Sequence, residues 1–173
     1  MTKAEGYSIW LIPSGDVYQE LAKIISQLSE KYSTPNFEPH VTLIGAGELV
    51  GTEEEMLSKT SKLTDLLRPF KIKLIKADYF DEYFRCVFIR AEKTKEITEV
   101  NNIARATFNL KLDPEYMPHF SLMYGDINPE TKEKILADLG KEFDISFEVN
   151  SLHLFSTTGE VNDWHKVKEF PLS

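Results

Sequence analysis

Hydrophobic positions along the chain switch between strand-like and helix-like spacing, and each switch marks a predicted element. The apolar run from Tyr7 to Ile12 predicts a buried strand. Asp16 follows as a predicted N-cap, with Gln19 three residues later as in a capping box, and opens a helix predicted over 16–32. The apolar stripe of this helix consists of Val17, Leu21, Ile24, Ile25 and Leu28. The chain therefore begins with a strand and an amphipathic helix.

The rest of the first half continues this alternation. The pattern predicts a strand at 40–45, a turn at 45–47, a helix at 53–68 and a strand at 70–77. Thr52 and Glu55 have the spacing of a capping box at the start of the helix, and Pro69 ends it.

The second half of the chain repeats this order. The predicted elements are a strand at 84–91, a helix at 95–109, a strand at 119–124, a second helix, strands at 145–149 and 152–155, a turn at 156–159 and a strand at 164–170. The second helix has Asn128 as its cap, Pro129 at its first position and Gly140 just past its end.

Equivalent strands of the two halves start at similar intervals: the strand at 7 corresponds to the one at 84, and the strand at 40 to the one at 119. We therefore predict a single bilobal domain over 1–173, with a repeat at about 6–78 and 84–155 and a C-terminal strand at 164–170. The predicted fold class is α+β, with two pseudo-symmetric lobes of antiparallel sheet covered by helices around a central cleft.

Two tetrapeptides carry the candidate chemistry, His40-Val41-Thr42-Leu43 and His119-Phe120-Ser121-Leu122, and each follows a proline. A histidine and a hydroxyl two residues later share one face of a strand, because side chains alternate with period 2. The other two histidines lack a hydroxyl at this spacing and are predicted to pack in strands or face solvent; they are His153 and His165. Two buried structural histidines are the alternative interpretation, which the symmetry of the motifs disfavours.

Paired imidazoles suit acid–base cleavage of a phosphodiester without a metal or other cofactor. Imidazole titrates near pH 6.5, so one ring can accept a proton from water while the other donates one to the leaving oxygen. The hydroxyls of Thr42 and Ser121 can donate hydrogen bonds to phosphoryl oxygens. Hydroxyls of the predicted turn at 156–159 are further candidates for phosphate contact.

Composition restricts the partners of such a site. The net charge of −8 and the absence of a basic stripe argue against a long nucleic acid and favour a small phosphate ester. The single cysteine, Cys86, excludes an intrachain disulfide and a multi-cysteine zinc site. No apolar run approaches the roughly 18 residues of a membrane helix, and no signal peptide precedes the first strand, so we expect a cytoplasmic protein without membrane contact.

The chain resembles the two-histidine (2H) phosphoesterase superfamily, and within it the plant- and yeast-type cyclic phosphodiesterases. The stretches that carry the resemblance are 7–13, 37–42, 84–88 and 116–124, and they include both tetrapeptides. The resemblance implies metal-independent hydrolysis of ADP-ribose 1″,2″-cyclic phosphate, a by-product of tRNA splicing, and of nucleoside 2′,3′-cyclic phosphates. It assigns the catalytic set to His40, Thr42, His119 and Ser121.

The resemblance also implies that Tyr124 binds substrate and that Trp10 and Phe84 line the cleft. Tyr124 lies five positions after His119, so a regular strand would place it on the opposite face, and its role requires a strand end or a bend. Trp10 is equally well explained as a core residue. We expect a monomer that binds a small cyclic nucleotide. The alternatives are an RNA-end-processing enzyme, either 2′,5′ RNA ligase-like or a 3′ exonuclease, and a non-catalytic nucleotide-binding module.

Overall fold

Eight strands and four helices form the described part of the chain, residues 3–173 of a computed structural model. The strands are β1 (Tyr7–Leu11), β2 (Val41–Leu49), β3 (Phe70–Tyr79), β4 (Val87–Ala91), β5 (His119–Met123), β6 (Glu142–Val149), β7 (Ser151–Ser156) and β8 (His165–Pro171). The helices are α1 (Gly15–Tyr32), α2 (Glu53–Leu66), α3 (Lys95–Thr107) and α4 (Pro129–Leu139), and one 3₁₀ turn covers Val161–Asp163.

The strands form one curled antiparallel sheet in the order β6-β3-β4-β5-β2-β1-β7-β8. The strands that carry the two motifs, β2 and β5, are central neighbours, and they share the single register pair Val41 and Phe120. A four-stranded half of the sheet lies on each side of this junction. The α+β prediction is confirmed, with both motifs at the centre of the sheet.

The halves of the sheet are built by exchange of strands along the chain. β3 follows the first motif in sequence but pairs with β4 and β6 in the half that holds the second motif. β7 comes after the second motif and pairs with β1 in the other half. Each half therefore contains strands from both sequence segments, which ties the two segments into one sheet.

One hydrophobic core joins the four helices to one face of the sheet. Val41 and Leu43 of β2 and Phe120 and Leu122 of β5 belong to this core, together with apolar residues of every helix. The alternate residues therefore face the other side, namely His40 just before β2, Thr42 within β2, and His119 and Ser121 of β5. This face carries the candidate site.

Two of the three predicted helix caps are confirmed. Thr52 and Glu55 form the reciprocal capping box of α2, with backbone-to-side-chain distances of 2.9 and 3.2 Å. Asn128 accepts a hydrogen bond of 2.8 Å from the N–H of Thr131 at the start of α4. The predicted cap at Asp16 is wrong, because α1 begins at Gly15, where a φ of 62° turns the chain into the helix.

The predicted turn at 45–47 is wrong, because these residues lie within β2. Ile44 is opposite Ile9 of β1 and Leu49 is opposite Tyr7, so β2 carries extra residues here as an extended bulge. Gly47 adopts a φ of 89° in this bulge. The predicted strand at 84–91 starts later, at Val87, and residues 84–86 form a turn ahead of it.

Candidate active site

A cavity of about 240 Å³ lies on the sheet face opposite the helices, where the two halves meet. All seven site residues predicted from the sequence line this cavity: Trp10, His40, Thr42, Phe84, His119, Ser121 and Tyr124. They come from β1, β2 and β5 and from the segments just before β2, just before β4 and just after β5. The sequence-derived set is thus brought together in one place.

The two motif histidines are held by the same local hydrogen bond. His40 Nδ1 lies 2.6 Å from the carbonyl oxygen of Glu38, and His119 Nδ1 lies 2.9 Å from that of Met117. A carbonyl oxygen can only accept, so Nδ1–H is the donor in both rings and Nε2 remains available for proton transfer.

The prolines before the motifs explain this geometry. Pro39 and Pro118 each separate a histidine from the residue whose carbonyl it contacts. Proline restricts its own φ and biases the preceding residue towards extended backbone, which limits where that carbonyl can point. Each Pro-His sequence therefore defines the tautomer of its own imidazole.

Burial makes the two imidazoles unequal. His40 is 3% exposed, and burial lowers its pKa to about 3, with repulsion from His119 as a smaller contribution and the Glu38 carbonyl opposing both. Burial also lowers the pKa of His119, which is partly exposed, and the positive charges of Arg85 and Arg90 add to the decrease. Both rings are neutral at pH 7, and a phosphate anion beside them would favour their protonation.

An aromatic side chain from the neighbouring strand contacts each imidazole. Trp10 of β1 stacks on His40, with ring centroids 3.6 Å apart and an interplanar angle of 7°. Phe88 of β4 meets His119 edge-on, at 5.1 Å and 63°. Trp10 also stacks on Phe155 at 3.9 Å and is only 2% exposed. It is therefore a packed residue and a cavity wall at the same time, so the two sequence interpretations are not exclusive.

Tyr124 reaches the cavity through an irregularity in β5. Ser121 is opposite Phe88 and Met123 is opposite Val87, so Leu122 is one residue in excess, and β5 ends at Met123. Such a bulge reverses the alternation of side chains, which returns the residue after the strand to the face of His119 and Ser121. The strand end that the role of Tyr124 requires is therefore present.

The hydroxyl groups around the cavity are mostly buried. Ser121 is 5% exposed, and its Oγ donates a hydrogen bond of 3.4 Å to the carbonyl oxygen of Phe84. Thr42 is half-buried at the matching position of β2. Burial raises the pKa of Tyr124, so its phenol keeps its proton at neutral pH. Three potential hydrogen-bond donors thus border the two imidazoles.

Seven further residues line the cavity. Three of them have a methyl side chain or none, and the other four have polar or aromatic side chains: Ala4, Gly45 and Ala46, and Ser8, Arg85, Thr157 and Trp164. Ser8 precedes Trp10 by two residues on β1, so strand alternation alone would have found it. Arg85 follows Phe84 directly, and its guanidinium is paired with Glu82 at 2.7 Å.

Thr157 belongs to the predicted turn whose hydroxyls were candidates for phosphate contact, whereas Trp164 has no local sequence signal. Thr157 Oγ1 lies 3.2 Å from Ser8 Oγ, although 149 residues separate them. Trp164 contacts Trp10, Phe84 and Tyr124, with centroid distances of 5.7 to 5.9 Å. Their positions depend on the pairing of β7 with β1 and β8.

The other histidines lie outside this cavity. His153 is buried in β7, with its Nε2 3.8 Å from a carboxylate oxygen of Glu169, and His165 is exposed at the start of β8. Within residues 3–173 no group of three or more His, Cys, Asp or Glu side chains has the arrangement of a metal site. Over the same residues, none of the helices combines the length and apolarity needed to span a bilayer.

Solved structures with this fold cover almost the whole chain. TT0787 of Thermus thermophilus superimposes with a TM-score of 0.65 at 16% identity, covering 96% of this chain and 97% of that one. LigT of E. coli, solved as a complex with 3′-AMP, superimposes with a TM-score of 0.63 at 13% identity, covering 98% and 99%. At these identities the likeness establishes the fold.

Sequence comparison identifies the family of the chain in addition to its fold. A cyclic phosphodiesterase of Arabidopsis thaliana is 27% identical over 162 residues, which are 91% of this chain and 88% of the relative. A 2′,3′-cyclic-nucleotide 3′-phosphodiesterase of Yarrowia lipolytica is 26% identical over 207 residues, covering 92% and 96%. The family described as "Cyclic phosphodiesterase-like protein" matches residues 5–172. With nearly every residue inside that match, the chain belongs to the cyclic phosphodiesterase-like family of 2H phosphoesterases.

Proposed function

We propose that this protein hydrolyses small cyclic phosphodiesters to phosphomonoesters, with nucleoside 2′,3′-cyclic phosphates and ADP-ribose 1″,2″-cyclic phosphate as substrates. One observation carries the proposal. Two imidazoles with identically anchored Nδ1 atoms border a single cavity and leave both Nε2 atoms available. Membership of the family and the names of the two curated relatives support the same reaction.

His40 is the proposed general base and His119 the proposed general acid. His40 is the more deeply buried ring, and with a pKa of about 3 it stays neutral over the whole physiological range. His119 is partly exposed, so it can exchange protons with solvent between turnovers. The negative charge of a bound phosphodiester favours the protonated imidazole, which a general acid needs.

In this mechanism His40 removes a proton from water as the water oxygen attacks phosphorus. The bond from phosphorus to one ester oxygen breaks, and His119 Nε2 gives its proton to that leaving oxygen. Thr42 donates a hydrogen bond to a non-bridging oxygen, where negative charge increases in the transition state. Ser121 does the same once bound substrate draws its hydroxyl hydrogen from the long 3.4 Å bond to the Phe84 carbonyl oxygen. The phenol of Tyr124, protonated at neutral pH, is a third donor for the same oxygens.

The size and charge of the protein support a small substrate. The cavity of about 240 Å³ has room for a cyclic phosphate and its sugar, and the net charge of −8 opposes a long polyanion. We further propose that the chain acts as a single bilobal domain, as a monomer and in the cytoplasm; light scattering and cell fractionation test the last two.

A substrate panel tests the proposed reaction. ADP-ribose 1″,2″-cyclic phosphate, the four 2′,3′-cyclic nucleotides and a short RNA with a 2′,3′-cyclic end are incubated with the protein, and the products are identified by phosphorus NMR. We expect each small cyclic phosphate signal to be replaced by one monoester signal. Turnover of the RNA end far above that of mononucleotides would favour the RNA-end-processing alternative. Binding without any new phosphorus signal would favour the non-catalytic module.

A further inference from the structure

The catalytic cavity is too small for an entire nucleotide. Its volume of about 240 Å³ falls below the roughly 300–1,000 Å³ of sites that enclose a drug-sized ligand. If the proposed function holds, on which this inference rests, the cyclic phosphate and ribose occupy the cavity and the base must extend beyond it. The neighbouring cavities decide where the base can go.

A cavity of about 710 Å³ adjoins the catalytic one. Ala4, Ala46 and Phe84 line both, and two of these three side chains are single methyl groups. The rest of the adjoining cavity is lined by two glycines, Gly47 and Gly159, and by Lys3, Glu5 and Thr158. The boundary between the two spaces is thus low and largely uncharged.

The opening follows from a difference between the two halves. Gly45 lies five residues after His40, and Tyr124 lies five residues after His119. Both positions follow a one-residue bulge. The bulge in β2 is at Leu43, because Thr42 is opposite Trp10 of β1 whereas Ile44 is opposite the adjacent Ile9. On the second half this position carries the Tyr124 ring, which stacks on Phe37 at 3.9 Å. In the half of the sheet that holds His40 the corresponding residue is Gly45, which has no side chain, so this end of the cavity stays open.

Packing does not require glycine at this position. A Cβ on Gly45 would meet only the Cγ2 of Thr42, at an ordinary contact distance of 3.7 Å. The bulge itself is stabilised from the other face, where Asn101 of α3 donates a hydrogen bond of 3.0 Å to the carbonyl oxygen of Leu43. Gly45 lines the catalytic cavity, and the next two residues of β2, Ala46 and Gly47, line the adjoining one. From Gly45 to Gly47 the strand carries at most a methyl group, which leaves a passage along β2 between the two cavities.

Three other neighbouring cavities suit a base less well. One of about 200 Å³ shares Thr42, Gly45, Arg85 and His119 with the catalytic cavity, but it is smaller still and is lined by the carboxylates of Glu48, Asp113 and Glu115. One of about 430 Å³ lies beyond Trp10 and Trp164, whose rings are 5.9 Å apart and separate it from the imidazoles. One of about 540 Å³ lies beside Phe84 and is lined by carboxylates, Asp81, Glu82 and Asp126, which would repel a nucleotide phosphate.

We propose that the cavity of about 710 Å³ is the subsite for the heterocyclic base of the substrate. The base lies across Ala46 and Gly47 with one face towards Phe84, which is half-exposed and borders both spaces. The Phe84 ring is held by Trp164 at 5.7 Å and Tyr83 at 4.9 Å. Stacking on a fixed aromatic ring is tolerant of base identity, so the subsite selects for a nucleobase without a strong preference among the four.

The test uses the substitution Ala46→Tyr, whose larger side chain obstructs the passage between the two cavities. Two probes share the reacting ring, 2′,3′-cyclic AMP and the base-free methyl riboside 2′,3′-cyclic phosphate. The measured quantity is the ratio of kcat/KM for the nucleotide to kcat/KM for the base-free probe. We expect the variant to lower this ratio about tenfold, the loss of one stacked base. Val50→Tyr, at a position 70% exposed just past β2, is the matched control and should keep the wild-type ratio.

Each alternative outcome has a distinct meaning. An unchanged ratio in Ala46→Tyr overturns the subsite, and so does a fall confined to Asn162→Tyr in the 430 Å³ cavity. If Ala46→Tyr does not fold, Phe84→Leu removes the platform and must lower the same ratio for the subsite to stand. Wild-type protein that turns over neither probe refutes the proposed function, whereas turnover of both with an unaltered ratio refutes only the subsite.

Discussion

The hydroxyl of Tyr116 donates a hydrogen bond of 2.9 Å to the backbone carbonyl oxygen of Thr42, across the centre of the sheet. Tyr116 lies three residues before His119, and Thr42 belongs to the other motif. Since β2 and β5 share only the register pair Val41 and Phe120, this bond is a second connection between the two motifs. It fixes the first catalytic segment against the loop that leads into the second.

We expect Tyr116→Phe to lower kcat about tenfold with little change in KM, because the two motifs lose part of their relative alignment while the cavity walls remain. Loss of one buried hydrogen bond should cost about 1–3 kcal/mol in the free energy of unfolding, since the Thr42 carbonyl is left without its donor. Steady-state kinetics and urea denaturation measure both quantities.

Tyr79→Phe is the matched control for that variant. It removes a hydroxyl that donates to Glu133 at 2.9 Å, on an exposed surface away from the cavity. Its kcat should equal that of the wild type. Equal effects of the two substitutions on kcat would show that Tyr116 has no specific role in aligning the motifs.

Removal of either motif histidine should nearly abolish turnover. We expect His40→Ala and His119→Ala each to reduce kcat roughly a thousandfold, because each ring supplies a separate proton transfer. Circular dichroism should show an unchanged fold, and His165→Ala, at an exposed position of β8, should retain activity. Near-normal turnover by either motif variant would refute the paired mechanism.

The buried histidines should make stability depend on pH between about 3 and 6.5. Burial lowers the pKa of His40 to about 3 and, with a smaller contribution from Lys166, that of His153 to about 4, against 6.5 for a free imidazole. Above pH 6.5 neither the folded nor the unfolded state binds these protons. As the pH falls below 6.5 the unfolded chain binds them first, so stability decreases by up to about 1.4 kcal/mol per pH unit for each histidine.

Urea denaturation at several pH values between 4.5 and 7 measures this dependence. His153→Gln should flatten it, because one proton-binding difference between the folded and unfolded states disappears. His165→Gln, which alters an exposed histidine, should leave it unchanged. A curve for His153→Gln that is parallel to the wild type would show that this histidine is not neutral in the folded protein.

Activity should survive chelation. The proposed reaction uses only the side chains of the two motifs and Tyr124, so dialysis against EDTA should leave kcat and KM unaltered. A loss of activity that a divalent cation restores would replace the paired mechanism by a metal-assisted one. The pH dependence of kcat/KM is an independent check, and we expect a bell with one limb set by each imidazole. Replacement of His40 should remove the limb on the acid side, and replacement of His119 the limb on the basic side.

Local patterns were sufficient to predict much of this protein. Period 2 placed His40 with Thr42, and His119 with Ser121, on single faces, and period 3.6 identified α1, α2 and α3. The fourth helix, α4, was identified by its cap Asn128, by Pro129 at its first position and by Gly140 after its end. The capping residues Thr52 and Asn128 were equally visible, because a cap depends on contacts within three residues. These features depend on residues that are close together in the sequence, so they can be predicted without knowledge of the fold.

The details of the site were decided by strand pairing. Bulges at Leu43 and Leu122 place Gly45 and Tyr124 in the cavity. They exist because at each of these two points β2 or β5 has one residue more than the strand it pairs with. Thr157 reaches Ser8 only because β7 returns to pair with β1. The sequence by itself determined which chemical groups are available and which faces they share. Their convergence required the register of strands distant in sequence, which is set by packing of the whole core and not by any local spacing.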